Sequence, residues 1–234
     1  MKFAQPLERG ILVQRYKRFF ADVALDTGEQ VTAHCPNPGA MLGMNAPGMP
    51  VWLSRSDSPT RKLAHTLELV ETPGGLVSAN TMLPNRIAAE ALVQGWIPEL
   101  AGYDSVRPEV KYGLGSRVDF LLEAADRPSC WVEVKGVTLC RGHALAEWPD
   151  CVSTRAVKHL DELEAMAAAG DRAVVLFIVQ RSDCDAFAVC GDLDPTFAAA
   201  MDRARTRGVE VLIYACSVSP DAIMLDRPLP WRLT

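Results

Sequence analysis

VDFLLEAADRPSCWVEVKG, residues 118–136, holds two short apolar runs on either side of a polar turn, and it carries Asp119, Glu133 and Lys135 where a strand is ordinarily uncharged. Side chains in a strand alternate faces, so Trp131, Glu133 and Lys135 share one face while Val132 and Val134 point to the other. A turn centred near Asp126 sets Asp119 directly across from Glu133 on an antiparallel neighbour, which juxtaposes two carboxylates. Like charges opposite one another destabilise a sheet, and the flanking Phe120, Leu121, Leu122, Val132 and Val134 are too apolar for a solvated ladder. A hard divalent cation, Mg²⁺ or Mn²⁺, would offset that repulsion through oxygen ligands, with the neighbouring ammonium beside it. An isolated Glu-x-Lys is as well explained by a hairpin face meeting solvent, so the rest of the chain has to decide.

The chain has 234 residues, is 49% hydrophobic and 23% charged, and is long enough for one large or two modest cores. Its opening, MKFAQPLERGILVQRYKRFF, lacks the apolar run of a signal peptide, and no stretch approaches the ~20 apolar residues of a membrane span, so the expectation is a cytoplasmic protein. The seven cysteines are scattered without a C-x-x-C pair, as expected of small hydrophobes in a reducing compartment. Cys140 and His143 have a metal-like spacing but no second pair to complete a zinc site. Residues 1–80 carry eight Lys and Arg against seven Asp and Glu, and residues 81–234 carry sixteen against twenty-two. Such a balance excludes a uniformly basic nucleic-acid glove, so any nucleic acid must meet a local patch.

Residues 1–80 predict an all-β domain. GILVQRY, FFADVALD, QVTAHC, PVWLSRS, HTLELVE and LVSAN are strand-like and separated by turn residues, which suits a small closed barrel of the oligonucleotide-binding (OB) type. Arg15-Tyr16-Lys17-Arg18-Phe19-Phe20 interleaves cations with aromatics, so Arg15, Lys17 and Arg18 are candidate nucleic-acid contacts. From residue 81 the rhythm changes. Asn85 reads as the cap of a helix bearing Glu90 and ending near Gly95; Ser153 caps a second helix to about Ala169, whose polar face presents Arg155, Lys158, His159 and Glu162. AVVLFIVQ (173–180) is a strand buried on both faces, followed by the strand FAVC, a helix from Asp194 to about Arg207, and the strand GVEVLIYAC. No G-x-S-x-G occurs, and Gly113-Leu114-Gly115 leads into a strand rather than a helix, so the hydrolase-elbow and dinucleotide-fold readings fail.

A helix with Glu90, a strand with Asp119, a strand with Glu133-x-Lys135 and a cationic helix together resemble the PD-(D/E)xK nuclease superfamily, with Val118 where its proline often stands. More specifically, CPNPGAM (35–41), ANTMLPNRIAAEAL (79–92), PEVKYGLGSRVDFLLE (108–123), WVEVKGVTL (131–139), WPDCVSTRAVKHLDEL (148–163) and GDRAVVLFIVQR (170–181) resemble the sugar fermentation stimulation protein (SfsA) family over nearly the whole chain. Trp148, Cys151 and Ala156 depart from its usual Phe, Ala and Gly. The resemblance implies an α/β (α+β) chain: an OB-like barrel over residues 1–80, then a PD-(D/E)xK nuclease-like mixed sheet flanked by helices over 81–234. It implies DNA binding without sequence preference and a link to the regulation of maltose metabolism. Carried over by position, Asp119 and Glu133 become metal ligands with the carbonyl of Val134 beside them, and Lys135 becomes the catalytic lysine. Glu90 becomes a further ligand or supporting acid, with Glu109 an alternative for that place. Arg117, Arg155, Lys158 and His159 would contact phosphate, His159 also serving to protonate a leaving group.

Two functions remain open at this stage: a Mg²⁺- or Mn²⁺-dependent nuclease, and a DNA-binding regulator that keeps the fold without turnover. A binder of small anionic metabolites ranks below both. DNA is the expected partner, a homodimer is compatible, and no membrane is expected.

Overall fold

The computed structural model describes residues 1–113 and 115–232; Leu114, at the centre of Gly113-Leu114-Gly115, lies outside them. The alternating apolar residues of the first part form β1 (Glu8–Tyr16), β2 (Phe20–Leu25), β3 (Gln30–His34), β4 (Pro50–Arg55), β5 (His65–Thr72) and β6 (Gly75–Ser78). Their order is β3-β2-β1-β4-β5-β6, and a parallel bridge from His34 to Thr66 joins β3 to β5, closing the first five strands into the expected barrel. Leu12, Val23, Leu53 and Leu67 fill it, because residues two apart along each strand point inward.

The second part follows the element order expected from the sequence: α1 (Leu83–Gln94), β7 (Ser105–Tyr112), β8 (Ser116–Ala124), β9 (Arg127–Val137), α2 (Thr154–Ala168) and β11 (Arg172–Val179). A short strand, β10 (Leu145–Trp148), precedes α2; β12 (Ala186–Val189), α3 (Pro195–Thr206), β13 (Val209–Val218) and β14 (Ile223–Pro228) follow β11. The main sheet runs β14-β13-β11-β9-β8-β7, with β9, β11 and β13 parallel and the outer pairings antiparallel. The apolar run of β11 is buried on both sides as predicted: Val175 and Phe177 pack with Leu160 and Leu163 of α2, while Val174, Leu176 and Ile178 share a core with Ile87 and Ala88 of α1.

Two local expectations change. Helix α1 begins at Leu83, with Pro84 in its first turn, where a missing N–H costs nothing; Asn85 is therefore inside the helix and not its cap. Ser153 does cap α2, accepting the Ala156 N–H at 3.3 Å, a contact worth about 1 kcal/mol. The strand β14 and the parallel pair of β10 with β12 were not legible as a unit, because four to six residues carry too little periodicity.

The two parts meet at several places: residues 1–3 pair with residues 221–223 beside β14, and a second seam lies next to the loop after β3. The Ser78 N–H donates to the Gln180 carbonyl at 3.0 Å, and the Thr81 hydroxyl donates to the Pro36 carbonyl at 2.6 Å. The loop after β3 is thereby held against the C-terminal ends of β9 and β11.

Candidate active site

The β8–β9 ladder runs from the turn at residues 125–126 and reaches Phe120 opposite Val132, and there it stops. Asp119 and Glu133 are therefore not a ladder pair, as the register alone suggested. Instead the strands part, and the Asp119 side chain takes the place of a main-chain acceptor: its Oδ2 accepts the Val134 N–H at 2.7 Å. Asp119 Oδ1 accepts the Asn85 amide at 2.6 Å, so the residue read as a cap instead anchors the first acid. Burial, and after it the Glu133 charge, push the Asp119 carboxyl above its ordinary range, against the opposing pull of these two hydrogen bonds.

Glu133, 3% exposed, points to the α2 side of the sheet with Trp131 and Lys135. Its Oε1 accepts from Lys135 Nζ at 2.7 Å and from His159 Nδ1, whereas its Oε2 is buried without a hydrogen-bond partner among the described residues. Burial alone would raise the Glu133 carboxyl, but the hydrogen bond from His159 and the charge and hydrogen bond of Lys135 outweigh it and hold the carboxyl low. Lys135 Nζ also lies 6.0 Å from the centre of the Trp148 ring. The arrangement keeps one carboxylate ionised, leaves an oxygen of it unused, and sets a second, more protonation-prone carboxylate beside it.

The α2 side of the site is more buried than its sequence implied. His159 is 5% exposed, donates through Nδ1 to Glu133 and accepts through Nε2 from Arg155 Nε at 3.3 Å. Both ring nitrogens are spent, so the hydrogen-bond network makes His159 a support for Glu133; this corrects its expected roles as phosphate contact and proton donor. Glu162, one turn along, is buried with neither carboxylate oxygen hydrogen-bonded among the described residues; Lys158 Nζ approaches it at 3.7 Å. The Tyr112 hydroxyl is likewise buried and unpartnered, and burial, with the charges of Glu133, Glu162 and Asp119, pushes it far above its usual range. Asn85, Tyr112 and Glu162 thus border the site unpredicted. Only the Pro84-Asn85 pair gave a signal, since a proline in the first turn places Asn85 beyond the cap.

The structure does not bring Glu90 to this cluster. At 100° per residue, five residues turn Glu90 about 140° from Asn85 around the helix, and Glu90 pairs with the Met1 amino group near β14, whose Ile223 carbonyl accepts from the same group. Glu109 is exposed with φ +55°, between the pairs Pro108–Phe120 and Val110–Val118, outside the hydrogen-bonded cluster. No set of three or more His, Cys, Asp or Glu side chains suited to a metal occurs among the described residues, and this includes Cys140 and His143.

Of the candidate cations, Arg117, Lys158, Lys17 and Arg18 are exposed, the last two forming the β1–β2 turn with Phe19. Arg155 is also exposed but engages His159. Arg15 is not available as a phosphate contact: its guanidinium donates to the carbonyls of Asn37 at 2.7 Å, Gly39 at 2.9 Å and Arg18 at 3.0 Å. It fastens the loop after β3.

Comparison with known proteins agrees with this architecture. Residues 13–79 match the SfsA N-terminal OB domain, and residues 82–222 match the sugar fermentation stimulation protein RE domain. A sugar fermentation stimulation protein homolog of Maricaulis maris is 58% identical over 234 residues, covering 100% of both chains, and one of Caulobacter vibrioides is 54% identical over 231 residues, covering 99% of this chain and 97% of the relative. The solved structure of Pyrococcus furiosus SfsA in complex with Ca²⁺ superposes with a TM-score of 0.88 at 26% identity, covering 99% of this chain and 98% of that one. No helix of the described residues is long and apolar enough to cross a membrane. With both family models matched in order and relatives above half identity along its whole length, the chain belongs to the sugar fermentation stimulation protein (SfsA) family.

Proposed function

We propose that this protein binds DNA without sequence preference and hydrolyses its phosphodiester bonds with the help of a divalent cation, Mg²⁺ or Mn²⁺, at Asp119, Glu133 and Lys135. The observation that carries this reading is the buried Glu133 carboxylate, held ionised by Lys135 and His159 yet keeping one oxygen free beside Asp119. Two carboxylates suit a small hard cation that completes its shell with water and substrate phosphate oxygens. The Ca²⁺ bound by the Pyrococcus furiosus relative supports such a donor set. When bound, the cation supplies positive charge at the scissile phosphate.

The chain's own residues do the rest. Asp119 is fixed from two sides by Asn85 and Val134, and Glu133 by His159, so neither carboxylate must reorganise when the cation and substrate arrive. Lys135, tethered to Glu133 at 2.7 Å, places an ammonium where the non-bridging oxygens of a phosphate and the attacking water would meet. Lys17 and Arg18 on the barrel, with Arg117, Arg155 and Lys158 on the larger part, supply cations for the flanking phosphates. We take residues 1–80 as the binding module and 81–234 as the catalytic one, place the protein in the cytoplasm on its seven free cysteines, and attach its physiological role to sugar metabolism on its family.

A second reading, a DNA-binding regulator without turnover, is favoured by one observation: Glu90 stands apart, leaving two carboxylates where a third ligand was expected. End-labelled single- and double-stranded DNA incubated with Mg²⁺ or Mn²⁺ separates the two. Cleavage by wild type, lost in Lys135→Met and Glu133→Gln while binding persists, is the expected result; binding with no cleavage by any of the three refutes catalysis.

A further inference from the structure

A cavity of ≈ 370 Å³ opens beside the candidate active site, between the loop after β3 and the C-terminal end of β9, walled by Asn37, Gly39, Gly136, Trp148, Asp150 and Gln180 among others. Its size suits one small planar group. Trp148 belongs to both places: it lines the cavity and lies under Lys135, and it is fixed by an edge-on contact with Phe197 at 4.5 Å. Gln180 is 1% exposed, its backbone held by Val137 and Ser78, and its side-chain Oε1 has no hydrogen-bond partner among the described residues. A buried amide oxygen without a donor is costly, and a ligand that supplies one relieves the cost. Asp150 presses its carboxylate against the Gly39 backbone, so closely that a Cβ on Gly39 would sit 2.8 Å from its Oδ2.

The lining narrows the ligand. It contains no Lys or Arg, and the Glu147 carboxylate is occupied by Arg141 at 2.5 Å and 2.9 Å, so the wall offers acceptors and an aromatic ring but no cation. An anion such as a sugar phosphate would meet the Asp150 and Glu147 carboxylates with no countercharge in the wall. Cations stand just outside: Arg18 is near enough to Cys151, on the cavity rim, for its charge to act on that thiol, and Lys135 lies beyond Trp148. A neutral, flat, donor-bearing group between two phosphates fits both the wall and its surroundings.

We propose that this cavity receives one unstacked base of single-stranded DNA next to the scissile phosphate, and that Asp150 and Gln180 select guanine, whose N1–H and N2 amino group present donors along one edge. The proposal rests on the nucleic-acid reading of the neighbouring site and narrows it: contacts to phosphates hold any sequence, and this pocket adds a preference for one base beside the scissile bond. An unstacked base held by an aromatic ring and read on its pairing edge follows the general physics of such pockets. The Gly39 position keeps this wall thin, and Arg15 holds the loop that carries it.

The test is fluorescence anisotropy in EDTA with labelled fifteen-residue dT oligonucleotides whose central base is guanine, hypoxanthine, thymine or absent. Guanine should bind about tenfold tighter than hypoxanthine, which lacks the 2-amino group, or thymine. Asp150→Asn should equalise guanine and hypoxanthine while still binding the all-thymine strand, which also shows that the variant is folded. Equal affinity of wild type for guanine, hypoxanthine and thymine overturns the proposal, as does a guanine preference that survives Asp150→Asn. A parallel Mg²⁺ cleavage assay separates this from the proposed function: cleavage without base preference removes the base pocket alone, and base preference without cleavage removes the catalytic reading alone.

Discussion

Replacing Glu133 by Gln separates the structural and functional demands on the candidate site. The carboxylate is 3% exposed and accepts from both Lys135 Nζ and His159 Nδ1 through Oε1. Gln keeps one acceptor but presents an amide donor to its neighbours, and it leaves the Lys135 ammonium, whose side chain is only 15% exposed, without its anion. Breaking one side of a buried ion pair costs about 3–5 kcal/mol, and because Lys135 keeps some contact with water the lower end, ~3 kcal/mol, applies. A smaller gain opposes it: the Asp119 carboxyl is raised first by burial and only second by the Glu133 charge, so removing that charge relieves the lesser cause. A net loss of roughly 2 kcal/mol lowers Tm by about 4–8 °C in a chain of this length. Calorimetry in EDTA measures it. The double variant Glu133→Gln/Lys135→Met should recover about 1 kcal/mol relative to the sum of the single variants, since the two residues touch. Glu133→Gln as stable as wild type, or a strictly additive double variant, refutes the claim that Lys135 and His159 hold this carboxylate.

Asp119 has the opposite pH behaviour. Its folded-state pKa is raised, so ionised Asp119 costs stability at neutral pH, and the cost fades as pH falls through the raised value toward the ordinary 3.8. Asp119→Asn, with the Asn85 amide turned to accept, should therefore exceed wild type in Tm at pH 8 without divalent ions, by a margin that shrinks toward pH 4; a margin that grows on acidification contradicts the assignment. A Cβ on Gly136 would lie 2.6 Å from Pro84 Cγ, and the ring in the first turn of α1 cannot rotate away, so Gly136→Ala should cost about 1–3 kcal/mol in urea unfolding; an unchanged midpoint refutes this contact. Lys17→Ala and Arg18→Ala should each lower the slope of log affinity against log salt by about 1. Arg15→Met should leave that slope unchanged while lowering stability by about 1–3 kcal/mol, because its donors serve loop carbonyls; a lower slope for Arg15→Met would make it a phosphate contact after all.

The parts of the site legible in the sequence were those set by a strand's two-residue period. Glu133 and Lys135 share a face flanked by buried valines, and the hairpin turn brings Asp119 near them, so the central trio followed from spacing alone. The barrel and the doubly buried β11 were legible for the same reason. The parting of the strands at Asp119 was not, because a side chain that replaces a main-chain acceptor leaves no mark on the hydrophobic pattern. Glu90 was misplaced because helical periodicity tells which residues face a core but not which turn crosses which strand; the first turn of α1 packs on β9 through Pro84 and reaches Asp119 of β8 through the Asn85 side chain. His159 sits on a helix among Arg155, Lys158 and Glu162 and reads as polar surface, yet its partner is 26 residues away on β9, a distance no local pattern spans.

The central claim is that Asp119 and the free oxygen of Glu133 form a divalent-cation site. Isothermal titration of Mg²⁺ and Mn²⁺ into wild type and Asp119→Asn, each first shown to be folded by its melting transition, tests it most directly. One cation bound per wild-type chain, with binding lost or weakened at least tenfold in Asp119→Asn, is the predicted result. Equal binding by the two proteins, or no binding by wild type in the presence of a DNA oligonucleotide, would contradict it.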